Sequence, residues 1–596
     1  MTGESPPWRR YAGAGLEEVD HMLHFIDFEV FRFDWLCVII SPTYKMTTVI
    51  VNDKDALERY YRQYGDEVFV GYNIRNYDQW IMKGILCGFD PKEINDWIIM
   101  QHQNGYQFSS ILRQVSLIIF DVMPNPPVGL KTLEGFMGNN IKETGVPFDI
   151  GRKLTDAEIQ ETAGYCTHDV EQTIEVFLHR RNEFDAMMGL VREFRLPLAY
   201  IGRTQAQLAA VILEARRQET DDEWDIRLPD TLRLGRYRHV ADWFLDPGNH
   251  DEKKNLACDI AGVPHVFAWG GLHGAIAKYS YTCAPDELLI MADVDQLYPT
   301  LMIRYRLLSR AVKDYRKFED ILATSLRLKA EGRKKEREPY KRICNITYGA
   351  EGDKYNAMYD PLHRTLVCVF GQVLVLDLIE KLEPYCRLIQ SNTDGILILI
   401  RRRDFGRIDD IVYDWEQRTG LHMGFDFYHK IMQKDVNNYV AVDYEGGYKS
   451  KGAYTKELSP IDNDLPIVNR AVVDYMVHGI PVERTIESCQ ELKQFQRMVK
   501  LSGKFDWVEH ERLDGNVRYT YKSYRVFASR DDVDGKIVRC RKDGFRAKFG
   551  NTPQHCYICN ENINGLEVPD RLDRKWYVDE ARKRLEQYGC GEGMGT

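Results

Sequence analysis

The chain has 596 residues and carries 80 Lys and Arg against 90 Asp and Glu, a formal net charge of −10. With 44% hydrophobic and 29% charged residues it cannot be a disordered, collagen-like or fibrous chain, and its length suffices for about four domains. The acidic balance argues, at first sight, against a nucleic-acid partner.

The predicted elements divide the chain into a first α/β part, a connection and a second part rich in strands and helices. Apolar runs at 23–40 and 68–72 predict buried strands, and residues 155–182 have helical spacing. A polar stretch at 218–255 is the predicted connection. The later predictions are a strand at 287–293, a basic helix over 314–337 that stops at Pro339, a second helix from Tyr340, a hairpin at 388–400, hairpin-like pieces at 519–536 and an amphipathic helix at 573–588.

Location and cysteine chemistry follow from the same composition. No apolar run approaches the roughly 20 residues that span a bilayer, and Met1–Arg10 lacks the apolar core of a signal peptide, so we expect a cytoplasmic protein without a membrane partner. Thirteen scattered cysteines favour reduced thiols over a disulfide framework. Cys540, Cys556, Cys559 and Cys590 contain a single Cys-x-x-Cys pair, so a zinc site stays open but is less favoured.

A first group of acidic residues lies in the first α/β part. Asp27 and Glu29 are two apart in a strand and project to the same face, where a divalent cation would relieve their repulsion. Asp78 follows a second strand, and Tyr165 and Asp169 share a helix face at i,i+4. Each fragment alone is more typical of a solvated surface, but together they supply four carboxylates.

A second group lies between residues 290 and 400. Asp293 ends a buried strand, and Asp394 stands in the tight turn of the predicted hairpin, where Asp is also common for conformational reasons. Lys341, Asn345 and Tyr348 follow an i, i+4, i+7 spacing and share one helix face. The preceding residues 327–337 are rich in Lys and Arg, which indicates either a solvated helix or a surface for polyphosphate or nucleic acid.

The first group resembles the three motifs of the DEDDy-type 3′–5′ exonucleases that proofread for DNA polymerases. This resemblance implies an RNase H-like fold in which Tyr165 positions the attacking water and Asn73 contacts the single-stranded 3′ end. It also suggests Lys142 as an electrostatic helper, although a solvated surface lysine is the simpler interpretation. The implied ligands of two Mg²⁺ ions are Asp27, Glu29, Asp78 and Asp169.

The second group resembles motifs A, B and C of the family B DNA polymerases, in the order that the family uses. The matching segments are Asp293-Val-Asp-Gln-Leu-Tyr298-Pro299, Lys341…Asn345…Tyr348-Gly349 and Asn392-Thr-Asp394. The short intervals between these motifs leave no room for the insertions of protein-primed phage polymerases. The chain therefore resembles a compact phage-type enzyme that extends an ordinary primer.

The resemblance also implies roles for individual residues. Asp293 and Asp394, with the backbone carbonyl of Val294, hold two Mg²⁺ ions, for which Mn²⁺ is a substitute. Tyr298 packs under the sugar and excludes a 2′-OH. The implied nucleotide-binding residues are Tyr298, Lys329, Lys341, Asn345 and Tyr348. The implied DNA-binding residues are Asn73, Gly270, Gly271, Lys434, Tyr439, Lys449 and Lys451.

Four departures from the family pattern bear on these roles. Gln296 replaces the usual Ser of motif A, and Asn392 replaces the first Asp of motif C. The Tyr-x-Gly-Gly element appears as 268–271, which reads Ala-Trp-Gly-Gly, and the Lys-x-Tyr element is stretched over 434–439. His265 and His273, near these glycines, are predicted to pack or hydrogen-bond rather than to bind a metal.

The expected fold is α/β and α+β multidomain, with an RNase H-like exonuclease followed by a right-hand polymerase. The expected function is template-directed DNA synthesis from a primer with proofreading, in phage genome replication. The expected partners are primer–template DNA, dNTPs and a helicase, primase or clamp, with the chain itself a monomer. A 3′–5′ exonuclease on an inactive polymerase scaffold and a non-catalytic primer–template binding protein stay open as alternatives. The implied domains are exonuclease 1–195, connecting region 196–255, palm 256–310 and 351–447, fingers 311–350, and thumb with C-terminal region 448–596.

Overall fold

A computed structural model of the chain describes residues 23–590, so the predictions on Met1–Arg10 and on the last six residues lie outside the described part. The β-strands are β1 (Leu23–Val30), β2 (Trp35–Ser41), β3 (Met46–Val51), β4 (Val68–Gly71), β5 (Ile118–Asp121), β6 (Asn255–Ile260), β7 (Val263–Ala268), β8 (Gly271–Ala275), β9 (Tyr279–Thr282), β10 (Glu287–Val294), β11 (Arg387–Ser391), β12 (Gly395–Arg401), β13 (Met423–Tyr428), β14 (Lys430–Asp435), β15 (Asn438–Val442), β16 (Tyr448–Lys451), β17 (Arg497–Lys500), β18 (Trp507–Arg512), β19 (Val517–Tyr519), β20 (Ser523–Ala528), β21 (Asp534–Cys540), β22 (Arg546–Lys548) and β23 (Cys556–Ile558).

The α-helices alternate with these strands in both halves of the chain. They are α1 (Lys54–Tyr64), α2 (Asp78–Cys87), α3 (Pro91–Asn95), α4 (Leu130–Met137), α5 (Asp156–His179), α6 (Arg181–Glu193), α7 (Gln205–Ile212), α8 (Arg238–Leu245), α9 (Leu297–Arg304), α10 (Tyr315–Ala330), α11 (Lys334–Gly352), α12 (Pro361–Leu382), α13 (Phe405–Thr419), α14 (Pro466–His478), α15 (Val482–Ser488) and α16 (Arg574–Gln587). No helix among residues 23–590 is long and apolar enough to cross a membrane, and no disulfide bond joins two of these residues.

The mixed α/β chain folds into two compact units, and each unit is built from segments that are not contiguous in the sequence. Within the described residues, the first unit contains 23–203, 458–466 and 490–573, and the second contains 204–457, 467–489 and 574–590. Much of the segment expected to form a thumb, 490–573, therefore packs in the same unit as the first 200 residues or so.

The first unit is built on a five-stranded mixed sheet of order β3-β2-β1-β4-β5, in which β1, β4 and β5 are parallel and β2 and β3 antiparallel to their neighbours. The predicted strand over 23–40 is two strands, β1 and β2. Strand β1 is central and almost entirely buried, so its two acidic residues are held inside a packed sheet. The predicted long helix is confirmed as α5, which starts at a capping box formed by Thr155 and Glu158.

A small β-sandwich, formed by 497–558, completes the first unit. Its sheets have the orders β17-β20-β23 and β19-β18-β21-β22, and one hydrophobic core lies between them. The prediction of hairpin-like pairing over 519–536 is wrong, because β20 pairs with β17 and β23 whereas β19 and β21 both pair with β18. Strands adjacent in sequence thus belong to different sheets, which a local turn signal cannot show.

The second unit contains a seven-stranded antiparallel sheet of order β13-β10-β12-β11-β8-β7-β6 and a four-stranded sheet of order β16-β15-β14-β9. The predicted strand at 287–293 and the hairpin at 388–400 are confirmed as β10, β11 and β12. Helix α12 is buried along most of its length, so it forms the apolar centre of this unit. The terminal amphipathic helix is confirmed as α16.

The predicted stop at Pro339 is wrong. Helix α10 ends before Gly332, whose φ of 70° lies in the left-handed region that favours glycine. Helix α11 starts at Lys334 and continues through Pro339. Pro339 lacks an N–H group, but it stands only six residues into the helix, where one main-chain hydrogen bond is forgone without ending it. The basic residues at 327–337 therefore divide between two helices and the turn joining them.

Candidate functional site

Four predicted acidic side chains of the first unit converge at the centre of its sheet. Asp27 and Glu29 project from β1, and Asp78 is the first residue of α2. The Asp78 carboxylate accepts a hydrogen bond from the backbone N–H of Phe28 at 3.2 Å, which fixes it between the two strand acids. Asp169 reaches the same place from α5, which packs on β1 and β2. Asp27, Glu29 and Asp78 line a cavity of about 970 Å³.

Burial and mutual repulsion favour the protonated forms of these carboxyl groups. Burial, with the nearby charge of Asp169 second, raises the pKa of Asp27 to about 7. Burial and then Asp27 raise the pKa of Glu29 and of Asp78 well above their ordinary values. Burial also raises the pKa of Asp169, although the Lys131 ammonium opposes that shift. A cluster of this kind ionises fully when cations compensate it.

Lys131, on α4, is the lysine that contacts this cluster. Its ammonium forms an ion pair with Asp169 and donates to Glu134 at 3.0 Å, and it lies 4.6 Å from the centre of the Tyr165 ring. The predicted helper, Lys142, is exposed instead. Sequence reasoning missed Lys131 because α4 reaches α5 through tertiary packing. No helical or strand spacing relates Lys131 to Asp169.

Tyr165 stands one helical turn before Asp169, as its i,i+4 spacing predicts. Burial, then the negative charge of Asp169, raises the pKa of the Tyr165 phenol well above its ordinary value. The phenol is therefore a hydrogen-bond donor throughout the physiological pH range, and it can hold a water molecule or a phosphate oxygen beside the carboxylates.

The donor set of the first unit fits a hard divalent cation. Asp27, Glu29 and Cys166 place one donor atom each within 4.8 Å of one another, and so do Glu134, His168 and Asp169. The fully buried Glu134 has an Oε2 atom without a hydrogen-bond partner among the described residues. Carboxylate oxygens dominate both groups, and such ligands suit Mg²⁺ or Mn²⁺. Neither group contains any of the cysteines considered as zinc ligands, Cys540, Cys556, Cys559 and Cys590.

Apolar side chains surround the mouth of the same cavity. Met100 is 71% exposed and Ile99 is 51% exposed, both in a π-helical turn that follows α3. Phe148 is also exposed and stacks on Phe31 with ring centres 5.1 Å apart. Asn73 lines the cavity with a left-handed backbone, φ 61°, and its side chain accepts a hydrogen bond from Asn76. Sequence reasoning identified Asn73 but not the apolar residues, whose exposure only the fold reveals.

The two predicted acids of the second unit meet at the ends of neighbouring strands. Asp293 of β10 stands opposite Gly395 of β12, and the N–H of Val294 donates to the carbonyl of Asp394 at 2.7 Å. A Cβ atom on Gly395 would lie 2.0 Å from a carboxylate oxygen of Asp293, so only glycine permits this approach. Partial burial, then the charge of Asp293, raises the pKa of the Asp394 carboxyl. Two adjacent carboxylates at an accessible strand edge again fit divalent cations.

Lysines contact the acidic groups of the second unit directly. Lys449 donates to a carboxylate oxygen of Asp293 at 3.1 Å. Lys329 of α10 lies 2.6 Å from both carboxylate oxygens of Asp295. Lys451 also faces this region, since it stands two residues from Lys449 on the same strand, β16. The contact with Asp295 had not been predicted.

A cavity of about 650 Å³ adjoins Asp394 and contains the residues predicted to bind a nucleotide. The rings of Tyr298, from α9, and Tyr348, from α11, lie 4.1 Å apart and form an apolar wall. Arg337 and His273 also line the cavity, although the sequence had not assigned them to it. The predicted residues in its lining are Val294, Tyr298, Lys329, Lys341, Asn345, Tyr348, Asp394 and Lys451, together with the departures Gln296 and Asn392.

The remaining predicted residues have other surroundings. Gly271 has a φ of 146°, and a Cβ atom there would lie 2.6 Å from the hydroxyl of Thr393, so this glycine sits tightly against the turn that carries Asp394. Gly270 is exposed. Lys434 lies over the Tyr454 ring at 5.7 Å. Tyr439 is only 6% exposed and directs its hydroxyl to Met291, which places it beneath Asp293 and not on a surface that DNA could reach.

The predicted structural role of His265 agrees with its contacts. His265 is buried, and its ring nitrogens contact the carbonyl of Val263 at 2.7 Å and the hydroxyl of Ser391 at 2.5 Å. Both nitrogens are thus satisfied within the sheet. His273 lines the cavity, and burial, with the charge of Lys451 second, lowers its pKa.

Among the solved structures to which the chain is similar is one described as the family B DNA polymerase from the hyperthermophilic archaeon Pyrobaculum calidifontis. The similarity covers 96% of this chain and 78% of that chain, with a TM-score of 0.40 and 13% sequence identity. No protein-family model matches the chain, and no curated protein matches it.

Proposed function

We propose that the protein is a DNA-directed DNA polymerase with a 3′–5′ proofreading exonuclease, a compact phage-type member of family B. One observation carries the proposal: Asp293 and Asp394 meet at the ends of paired strands, beside a cavity lined by Lys329, Lys341 and two tyrosines whose ring centres lie 4.1 Å apart. An acidic pair adjoining a basic and aromatic cavity suits the transfer of a nucleoside triphosphate.

The polymerase site binds and orients its substrates through its own side chains. When bound there, two Mg²⁺ ions supply activation of the primer 3′-OH and stabilisation of the leaving pyrophosphate. Asp293 and Asp394 would hold them, with the Val294 carbonyl. Lys329 and Lys341 would neutralise the triphosphate, and Lys329 must first leave Asp295, which it contacts at 2.6 Å. The negative charge of the triphosphate thus competes with Asp295 for Lys329 and positions this lysine for catalysis.

Tyr298 and Tyr348 define the sugar and base end of the nucleotide cavity. The Tyr298 ring is partly buried and leans on Tyr348, so it cannot easily move away from an added oxygen atom. We infer that Tyr298 excludes a 2′-OH and that Tyr348 lines the nascent base pair, with Asn345 nearby. This arrangement would make deoxynucleotides the preferred substrates.

The exonuclease site would receive a single-stranded 3′ end in its large cavity. When bound there, two Mg²⁺ ions supply charge stabilisation of the attacking water and the leaving oxygen. Asp27, Glu29, Asp78 and Asp169 would hold them. Tyr165 stays protonated and orients the attacking water, while Lys131 orients Asp169. Phe148, Met100 and Asn73 would hold the terminal nucleotides.

Primer extension separates this proposal from its alternatives. With Mg²⁺ and dNTPs, the wild type should extend a labelled primer, and Asp394→Ala should abolish extension while leaving degradation of the 3′ end. Asp78→Ala should show the reverse pattern. A wild type that degrades but never extends would be an exonuclease on an inactive polymerase scaffold. A protein that binds the primer–template and does neither would be a binding protein.

A further inference from the structure

The β-sandwich of the first unit carries an excess of positive charge that neither acidic site uses. Residues 497–558 contain 14 Lys and Arg against 8 Asp and Glu, in a chain whose net charge is −10. The net charge of this segment is therefore opposite in sign to that of the whole chain. A polyanion would be attracted to it while the rest of the chain repels that polyanion.

One end of the sandwich combines this charge with aromatic rings. Two arginine side chains lie over two aromatic rings, which we call the aromatic–arginine cluster. The pairs are Arg539 over Phe505 at 4.6 Å and Arg541 over Phe545 at 4.5 Å. A third pair, Arg518 over Trp507 at 4.0 Å, lies on the other face of β18 and outside the cluster, since Arg518 stands opposite Glu509 whereas Arg539 stands opposite Val508.

Strand pairing brings these pairs together. Trp507 of β18 stands opposite Cys540 of β21, so Arg539 and Arg541 flank the position across from it. The Asp506 N–H donates to the Cys540 carbonyl at 2.9 Å, which continues the pairing towards Phe505. The ring of Phe505 lies 6.1 Å from that of Phe545, which is 46% exposed. The cluster is thus one continuous patch.

A purely structural role accounts for only part of this patch. Arginine–aromatic pairs stabilise protein surfaces, and Arg541 and Arg546 are partly neutralised by Asp543 at 3.0 Å and Glu509 at 2.6 Å. Lys504 and Lys542, however, are exposed, and neither forms an ion pair with any residue in the range 23–590. These two charges are available to a ligand.

We propose that the aromatic–arginine cluster binds single-stranded nucleic acid. Unpaired bases stack on exposed aromatic and guanidinium planes, whereas the bases of a duplex are not accessible to such rings. Lys504 and Lys542 contact the phosphates, and Phe545 contacts the bases. This site lies beyond the proposed polymerase and exonuclease activities and does not require either of them.

Oligonucleotide binding by the full chain tests the proposal. A labelled oligothymidylate is titrated with the protein in EDTA, so that no hydrolysis or synthesis occurs. The double variant Lys504→Ala, Lys542→Ala should bind about tenfold more weakly. The slope of log K against log salt should fall by about 1.4, since each phosphate contact on a single strand contributes about 0.7.

A matched control removes the same number of exposed charges elsewhere in the same unit. Lys54 and Arg59 are exposed on α1, and their replacement by Ala should leave binding and the salt slope unchanged. An equal loss in this control, or no loss in the test variant, would overturn the proposal. An equal loss of binding to a DNA hairpin duplex would overturn its preference for single strands.

Photocross-linking locates the contact without any variant. An oligonucleotide that contains bromodeoxyuridine should form adducts with Phe545, identified by mass spectrometry. Adducts confined to residues outside 497–558 would contradict the proposal. Primer extension by the wild type decides the polymerase function independently, so failure of one proposal is distinguishable from failure of the other.

Discussion

In the first unit, four acidic side chains converge within a buried sheet and Lys131 contacts one of them, whereas in the second unit Asp293 contacts Lys449 and Asp295 contacts Lys329. The first group therefore relies on protons or divalent cations, and its pKa values rise accordingly. In the second group, lysines already compensate the charge, and arriving phosphates and metal ions must replace them. The two sites should differ in how strongly metal ions stabilise the fold.

The largest expected effect is on the stability of the first unit. The folded pKa of Asp27 is about 7 against an ordinary value of 3.8, so the folded state retains a proton that the unfolded state has lost. The stabilisation from that proton is complete below about pH 4 and disappears as the pH rises through about 7. In EDTA above about pH 7, Asp27→Asn should raise the local unfolding free energy by about 2–4 kcal/mol.

Hydrogen exchange of the β1 amides measures this effect within the first unit alone. Mg²⁺ should protect these amides in the wild type and have much less influence in Asp27→Asn. The corresponding change in the second unit, Asp394→Asn, should alter the exchange of β12 only slightly. Equal metal protection of both units would contradict the contrast between them.

The second effect concerns the role of Lys131 in the proposed exonuclease site. Removal of this lysine alone would leave the fully buried Glu134 carboxylate without its cation, so the test combines Lys131→Met with Glu134→Gln. We expect the rate of 3′-end degradation to fall about 10–100-fold, because Asp169 loses the group that orients it. Primer extension should not change.

The exposed Lys142 provides the control for this variant. Lys142→Met should degrade a 3′ end at the wild-type rate. If Lys142→Met were the slower of the two proteins, the helper suggested by the family resemblance would be correct and the contact seen at Lys131 would be incidental. A shift in the Mg²⁺ concentration for half-maximal rate would further separate orientation of Asp169 from simple loss of stability.

The third effect concerns Lys449 in the proposed polymerase site. Lys449→Met removes the ammonium that lies 3.1 Å from Asp293, and primer extension should slow by about tenfold while 3′-end degradation is unchanged. Lys434→Met is the matched control, since Lys434 lies over Tyr454 and lines neither acidic site. A larger loss with Lys434→Met would restore the predicted DNA contact at that lysine.

The predictable part of these sites is local in sequence, and the rest depends on long-range pairing. The strand carrying Asp27 and Glu29 and the helix face shared by Tyr165 and Asp169 follow from periods of two and of three to four residues. The contact of Lys449 with Asp293 depends on β16 pairing with β15 in a separate sheet, and no spacing indicates it. Lys131 is a similar case, since it reaches Asp169 from a different helix.

The β-sandwich shows the same limit for whole strands. The segment around Tyr519 has clear turn and strand signals, but β19, β20 and β21 are assigned to two sheets by a hydrophobic core that also includes Val499 and Cys556. The β-propensity of each segment is therefore sufficient to predict where the β-strands lie but not which strands pair. The end of α10 is predictable only in part. Gly332 is a stop signal in the sequence, but it competes with the stronger signal of Pro339.

The smallest expected effect concerns Asp295, which holds Lys329 before a nucleotide arrives. Both groups are partly exposed, so their ion pair contributes about 1 kcal/mol or less. Asp295→Asn frees the lysine for the triphosphate and should lower the KM for dNTPs by about threefold, with kcat nearly unchanged, because the variant removes a competitor present only in the ground state. Steady-state extension at varied dNTP concentration measures both constants, and Asp286→Asn, which removes another exposed carboxylate paired with an arginine, is the control. A higher KM in Asp295→Asn would show instead that Asp295 positions Lys329 for the nucleotide. The lysines of the second unit would then be prearranged for catalysis, not held in reserve by their acidic partners.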